Sequence, residues 1–119
     1  MNPLNLPLLS RLTFTAYFLL LSWQLLTPVT VVNPGSWDKL IHFFGFFALA
    51  ALAVPAGWKL SLKQLGVVLI VYAALTEIFQ HFIPGRSFSV ADWLADSLGI
   101  LVALGLGSYF TRRVYSAPE

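Results

Sequence analysis

The chain has 119 residues, of which 58% are hydrophobic and 10% charged, with a formal net charge of +2 and no cysteine. A soluble domain carries about a quarter charged residues, and one this short could not keep so apolar a surface in water, so an integral membrane protein forming one domain, residues 1–119, is expected. The lack of cysteine excludes disulfides and thiolate metal sites, and without a basic run or a nucleic-acid motif, nucleic acid is set aside as a partner.

Residues 1–11 hold two prolines and a single charge, Arg11. From Leu12 to Val32 the chain is apolar apart from hydroxyls and Gln24, a length of about 20 residues that matches a bilayer crossing. No small-x-small cleavage site follows, so this is a retained helix rather than a secretory leader, with Pro28 expected to kink its far end. Asn33-Pro34-Gly35-Ser36 reads as a turn, with Ser36 placed to cap a second helix over about 37–56 and Asp38 in its first turn. Pro55 and Gly57 close that helix, and Trp58 and Lys59 are interfacial anchors. A third helix is expected over about 62–83, stopped by Pro84-Gly85. Ser89 with Asp92 three residues on resembles a capping box and opens a fourth helix over about 90–110. The fold class is therefore all-α: a four-transmembrane-helix antiparallel bundle.

Lysine and arginine set the orientation. Arg11, Lys59, Lys63, Arg112 and Arg113 fall on one side, Lys39 and Arg86 on the other. Five against two predicts both termini in the cytoplasm and the 33–38 and 84–89 loops facing outward, in a multi-pass protein of a cytoplasmic membrane.

The remaining ionisable residues then gather at the outer end. Asp38, Lys39 and His42 open the second helix; Glu77, Gln80 and His81 end the third; Arg86 is in the loop; Asp92 and Asp96 open the fourth. Glu77 and Asp96 sit roughly 9 Å below the outer rim at ~1.5 Å per residue. Asp38 with His42, Glu77 with His81 and Asp92 with Asp96 are each four apart, so each pair shares a helix face. Below Asp96 the same face continues as Gly99, Ala103 and Gly107, small residues that let membrane helices approach closely, so that face points inward. Gly66, Ala73 and Glu77 form a weaker counterpart on the third helix. Because charges in a membrane avoid lipid, these groups are expected to converge on one outward, water-accessible pocket. Four carboxylates (Asp38, Glu77, Asp92, Asp96) face two fixed cations (Lys39, Arg86), so pairing is incomplete without protons, the histidines or a ligand. The bland reading, in which these groups only pair and hold helices together, accounts for single residues better than for the set. Glu77, His81, His42 and the aspartates are chemically capable metal ligands, but no tight ligand spacing is present, and neither a metal nor another cofactor is expected. His81 reads as an interfacial residue.

Taken in order, Asp38-Lys39-x-x-His42-Phe43, Glu77-x-x-Gln80, Pro84-Gly85-Arg86-Ser87 and Asp92-x-x-x-Asp96-x-x-Gly99 resemble the VanZ-like family of small bacterial membrane proteins. The resemblance covers about Asp38 to Gly107, with Asp96 standing where the family more often has Asn. It implies a role at the bacterial cell envelope; the family's namesake is linked to resistance to teicoplanin, a lipoglycopeptide.

The expected function is binding or modification of an amphiphilic envelope substrate, such as a lipid-linked precursor or a lipid headgroup. Arg86 would clamp an anionic group with its planar fork, assisted by Lys39. Glu77 and His42 are the acid/base candidates. Gln80 would orient the substrate, and Asp92, Asp96 and Asp38 complete the lining. The alternative is a non-enzymatic accessory or structural protein whose polar cluster holds the bundle together or contacts a partner protein. The small-residue stripes serve packing within one bundle or contact between two copies.

Overall fold

The computed structural model describes residues 5–28 and 37–115, with side chains described over 5–28 and 38–110. Four α-helices account for most of them: α1 (Leu6–Leu25), α2 (Trp37–Ala53), α3 (Leu62–Gln80) and α4 (Val90–Tyr115), with a short 3-10 turn, Val54–Ala56, continuing α2. Each is long and apolar enough to cross a membrane, α2 when its 3-10 turn is included, and there is no strand among the described residues. Large apolar side chains point outward on every helix, among them Leu19, Trp23, Ile41, Phe44, Val67, Phe79, Leu98 and Leu101. Such a surface suits hydrocarbon, where the helix satisfies its own backbone and needs no polar exterior.

The first helix differs from expectation at both ends. It starts at Leu6 rather than Leu12, because Pro7 fits the first turn, where its missing N–H would have had no partner. It ends at Leu25, and Leu26 N–H closes the last turn on Ser22 O at 3.0 Å. Pro28 restricts Thr27 to non-helical backbone, in keeping with a helix that has ended by Leu25; the expected kink concerns a continuation past Pro28 that lies outside the described residues. Residues 29–32 and the Asn33–Ser36 turn, with the Ser36 cap, lie outside the described residues. The other boundaries follow their punctuation. Gly57, at φ 68°, ends the 3-10 turn. α3 begins with a reciprocal Ser61–Gln64 capping box, unmarked in the sequence reading. It ends at Gln80, three residues short of expectation. The N–H groups of His81, Phe82 and Ile83 each bond three residues back, tightening the chain into the turn. Ile83-Pro84-Gly85-Arg86 then closes with Arg86 N–H on Ile83 O at 3.0 Å and Gly85 at φ 79°. Pro at the second and Gly at the third position are what a type II turn demands.

Cross-helix contacts fix the topology. Arg11 on α1 meets Ala56 beyond α2, and Tyr17 donates to Gly45 O at 2.7 Å, so α1 and α2 are antiparallel. Trp93 Nε1–H donates to Ile70 O at 3.2 Å, tying α4 to α3, also antiparallel. α2 and α4 run parallel and pack most closely. A Cβ on Gly99 would lie 2.2 Å from Phe43 O, and one on Gly107 would lie 3.3 Å from Val54 Cγ2. The expected stripe Gly99, Ala103, Gly107 is thus the seam against α2. The apolar core, led by Phe46, Leu49, Ala50, Leu69, Ala73, Ile100 and Ala103, fills the middle and the end opposite the polar cluster. α1 buries only Leu21 and Leu25 and is the outermost element.

At that opposite end Arg11, inside α1 rather than flanking it, donates Nε–H to Ala56 O (2.7 Å) and Nη2–H to Gly57 O (3.0 Å) and lies over the Trp58 ring at 5.2 Å. These carbonyls end the helical segment and have no partner within it, and a cation suits the negative end of the dipole. Arg11→Ala is expected to lower stability by about 1–2 kcal/mol. Arg11→Lys should recover less than half of this, since one ammonium cannot serve both carbonyls and the ring. Thermal unfolding in detergent measures both; equal melting of Arg11→Lys and wild type would disprove the two-pronged attachment.

Candidate functional site

The buried stripes of the core turn polar at one end. On α3, Leu65, Leu69 and Ala73 lead to Thr76, Glu77 and Gln80. On α2, Ala50 and Phe46 lead to His42. On α4, Ile100 leads to Asp96 and Asp92, all of them buried. Helical spacing therefore delivers three acidic groups and a histidine to one place, because the residues continue faces that already point inward.

His42 is the centre. Its Nδ1 is hydrogen-bonded to Asp96 Oδ1 at 2.8 Å and lies 3.9 Å from Glu77 Oε1. Its Nε2 lies 3.5 Å from Asp92 Oδ2 and 3.8 Å from Asp38 Oδ1. Each ring nitrogen thus faces a pair of carboxyls. Lys39 stands on the Nε2 side, 2.5 Å from Asp92 Oδ1 and 3.8 Å from Asp38 Oδ2. Glu77 and Asp96 have no exposed surface, whereas Lys39 and Asp38 reach the open end. Glu77 Oε1 and Asp96 Oδ2 are buried without a hydrogen-bond partner among the described residues.

Two features depart from what the sequence implies. The Ser89 hydroxyl accepts the Asp92 N–H at 3.1 Å, as an N-cap does. The return half of the box is made by another helix: Ser89 N–H donates to Glu77 Oε2 at 3.1 Å, while Asp92 turns its carboxylate to Lys39. Glu77 thereby fastens the start of α4 to α3. Secondly, Gln80 and Arg86 both reach the end of α1. Gln80 Nε2–H donates to Leu25 O at 2.9 Å, and Arg86 donates Nε–H to Thr27 O at 3.1 Å and Nη2–H to Gln24 O at 2.5 Å. The last carbonyls of a helix need outside donors, and these two supply them to Gln24 O and Leu25 O, with Thr27 O held just beyond the helix end. His81, expected on the Glu77 face, follows the end of α3 and is exposed against Phe82.

A cavity of about 460 Å³ opens between α1 and α2 at this end. Leu21, Trp23, Leu25, Ile41 and Phe46 supply its apolar wall, and Gln24, Thr27, Asp38, His42 and Arg86 its polar end. The α1 wall is absent from the sequence-derived site because α1 carries no ionisable group there. Gln24 and Thr27, polar positions near the end of an apolar run, are the signal that could have marked it.

Four membrane-length helices closing on a buried histidine and carboxyl cluster define a small multi-pass membrane protein with a polar site at one end. Residues 4–111 match the family described as VanZ/LLP1, and the chain belongs to that family. No curated protein and no solved structure matches the chain.

Proposed function

We propose that this protein binds an amphiphilic molecule of the bacterial cell envelope, a lipid-linked precursor or a phospholipid-like headgroup, at the outward face of a cytoplasmic membrane. The observation that carries the reading is the cavity between α1 and α2, whose size is that of a small-molecule site. Its wall is largely apolar and its polar end holds Asp38, His42 and Arg86. An acyl or prenyl chain lies along Trp23 and Ile41, both exposed on the helix surface, and the headgroup enters beside Arg86 and His42. Arg86 is held in place on the cavity wall by its bonds to α1. The outward placement rests on the lysine and arginine count. A part in lipoglycopeptide resistance would follow from holding or altering such a lipid.

The test is mass spectrometry of lipids carried by protein purified in mild detergent, wild type against Ile41→Trp. Ile41 is 62% exposed on the cavity wall, so the larger ring narrows the cavity without entering the core. Wild type is expected to retain a defined lipid, and Ile41→Trp roughly tenfold less of it. No enrichment over an unrelated four-helix membrane protein would end the reading. If the lipid is converted instead of retained, Glu77 and His42 are the acid/base pair to change. The second reading, a cluster that only fastens helices, draws on the use of Gln80 and Arg86 for the α1 carbonyls. It predicts no lipid difference and lower melting in variants of both.

A further inference from the structure

We propose that His42, Glu77 and Asp96 bind a divalent transition-metal ion, of the zinc or manganese kind, at the Nδ1 side of the imidazole. This stands independently of the lipid reading, because it rests on a different set of contacts.

The three residues come from α2, α3 and α4 and are all buried. One ligand atom from each lies within 4.8 Å of the others, and His42 Nδ1 is 2.8 Å from Asp96 Oδ1 and 3.9 Å from Glu77 Oε1. Around an ion bound at about 2.1 Å, neighbouring ligand atoms stand about 3–4 Å apart, so the set can close on an ion with small side-chain movements. The second observation is the pair of orphaned oxygens, Glu77 Oε1 and Asp96 Oδ2, both buried without a hydrogen-bond partner among the described residues. Buried polar atoms are nearly always paired, and carboxylate oxygens without donors at this depth point to a missing cation.

The two sides of the imidazole explain why the ion belongs at Nδ1. On the Nε2 side, Lys39 already supplies a cation to Asp92 and Asp38. On the Nδ1 side no lysine or arginine pairs with Glu77 or Asp96 among the described residues. With the ion on Nδ1, Nε2 carries its hydrogen toward Asp92 and Asp38, at 3.5 and 3.8 Å. A metal-bound histidine is held in this way, its far nitrogen directed to a carboxylate. One nitrogen with two carboxylates favours zinc or manganese over calcium or magnesium, which prefer all-oxygen shells. The ion replaces the proton shared between His42 and Asp96, so its binding releases protons.

The experiment is calorimetric titration of EDTA-stripped, detergent-purified protein with zinc chloride and manganese chloride, with metal content after desalting measured by mass spectrometry. Glu77→Gln can keep the bond to Ser89 N–H, and Asp96→Asn can keep the bond to His42; each removes one anionic ligand. His81→Ala removes the other histidine, which is exposed. Wild type and His81→Ala are expected to bind one ion per chain, and Glu77→Gln and Asp96→Asn roughly 100-fold more weakly or not at all. The melting temperature should rise with the ion in the first two only. If wild type takes up neither ion, or if uptake survives both carboxyl changes and disappears with His81→Ala, the site does not exist. Should one carboxyl variant fail to fold, the other decides. The lipid test is separable, since Ile41→Trp leaves all three ligands in place.

Discussion

Gly99→Ala is expected to destabilise the protein by about 3 kcal/mol, the upper part of the overpacking range, although alanine favours the helix itself by about 1 kcal/mol. The added carbon would sit 2.2 Å from Phe43 O, 3.0 Å from Phe47 N and 3.1 Å from Phe43 C. All three are backbone atoms, so no side chain can rotate away and α2 must separate from α4. Asp96 is one turn above Gly99 on the same seam, and its 2.8 Å contact with His42 spans that gap. The variant should therefore lose the site's geometry as well as stability. Gly105→Ala is the matched control, with nothing within 4 Å of the new carbon; it should melt with wild type or slightly above it. Unfolding of both in detergent is the measurement. Similar melting of the two variants would mean that α2 and α4 do not touch at Gly99.

His42→Ala carries the other large effect, a loss of about 3–5 kcal/mol in metal-free protein. Among the described residues the imidazole is the one group that reaches all four carboxyls, at 2.8 to 3.9 Å. Without it Asp96 and Glu77 face each other in a buried space with no paired cation among the described residues. Asp96→Asn should cost only about 1 kcal/mol, because the amide keeps a hydrogen-bonding oxygen toward Nδ1 and removes a buried charge. Asn is also the residue to which the family resemblance points at this position. Asp96→Leu should fall close to His42→Ala, because it leaves Nδ1 without a partner. Chemical unfolding in the presence of EDTA ranks the three. If His42→Ala unfolds within about 0.5 kcal/mol of wild type, the range of an indifferent surface change, the imidazole does not organise the cluster.

The turns that separate α2, α3 and α4 were legible because Pro-Gly punctuation is local chemistry. Gly57 and Gly85 take positive φ where the sequence marks an end. α1 was displaced because its apolar run has no internal mark, and only the positions of Pro7 and Pro28 betray where helical backbone can begin and stop. The convergence of His42, Glu77, Asp92 and Asp96 could also be read, since each continues an inward face at three- or four-residue spacing. The small-residue stripe told which face of α4 meets a neighbour; that the neighbour is α2, running parallel, came from the packing.

By itself, then, the sequence determined a four-helix membrane chain and which acidic and histidine side chains share its polar end, because span length, turns and helical periodicity are properties of neighbouring residues. Only the tertiary structure decided how those side chains are used. Arg86 and Gln80 turn to the final carbonyls of α1, Glu77 takes the amide at the start of α4, and His42 divides the carboxyls into a side that has a lysine and a side that has none. The physical reason is that unpaired helix-end groups and buried charges find partners through space, and which partner is within reach depends on how the helices pack.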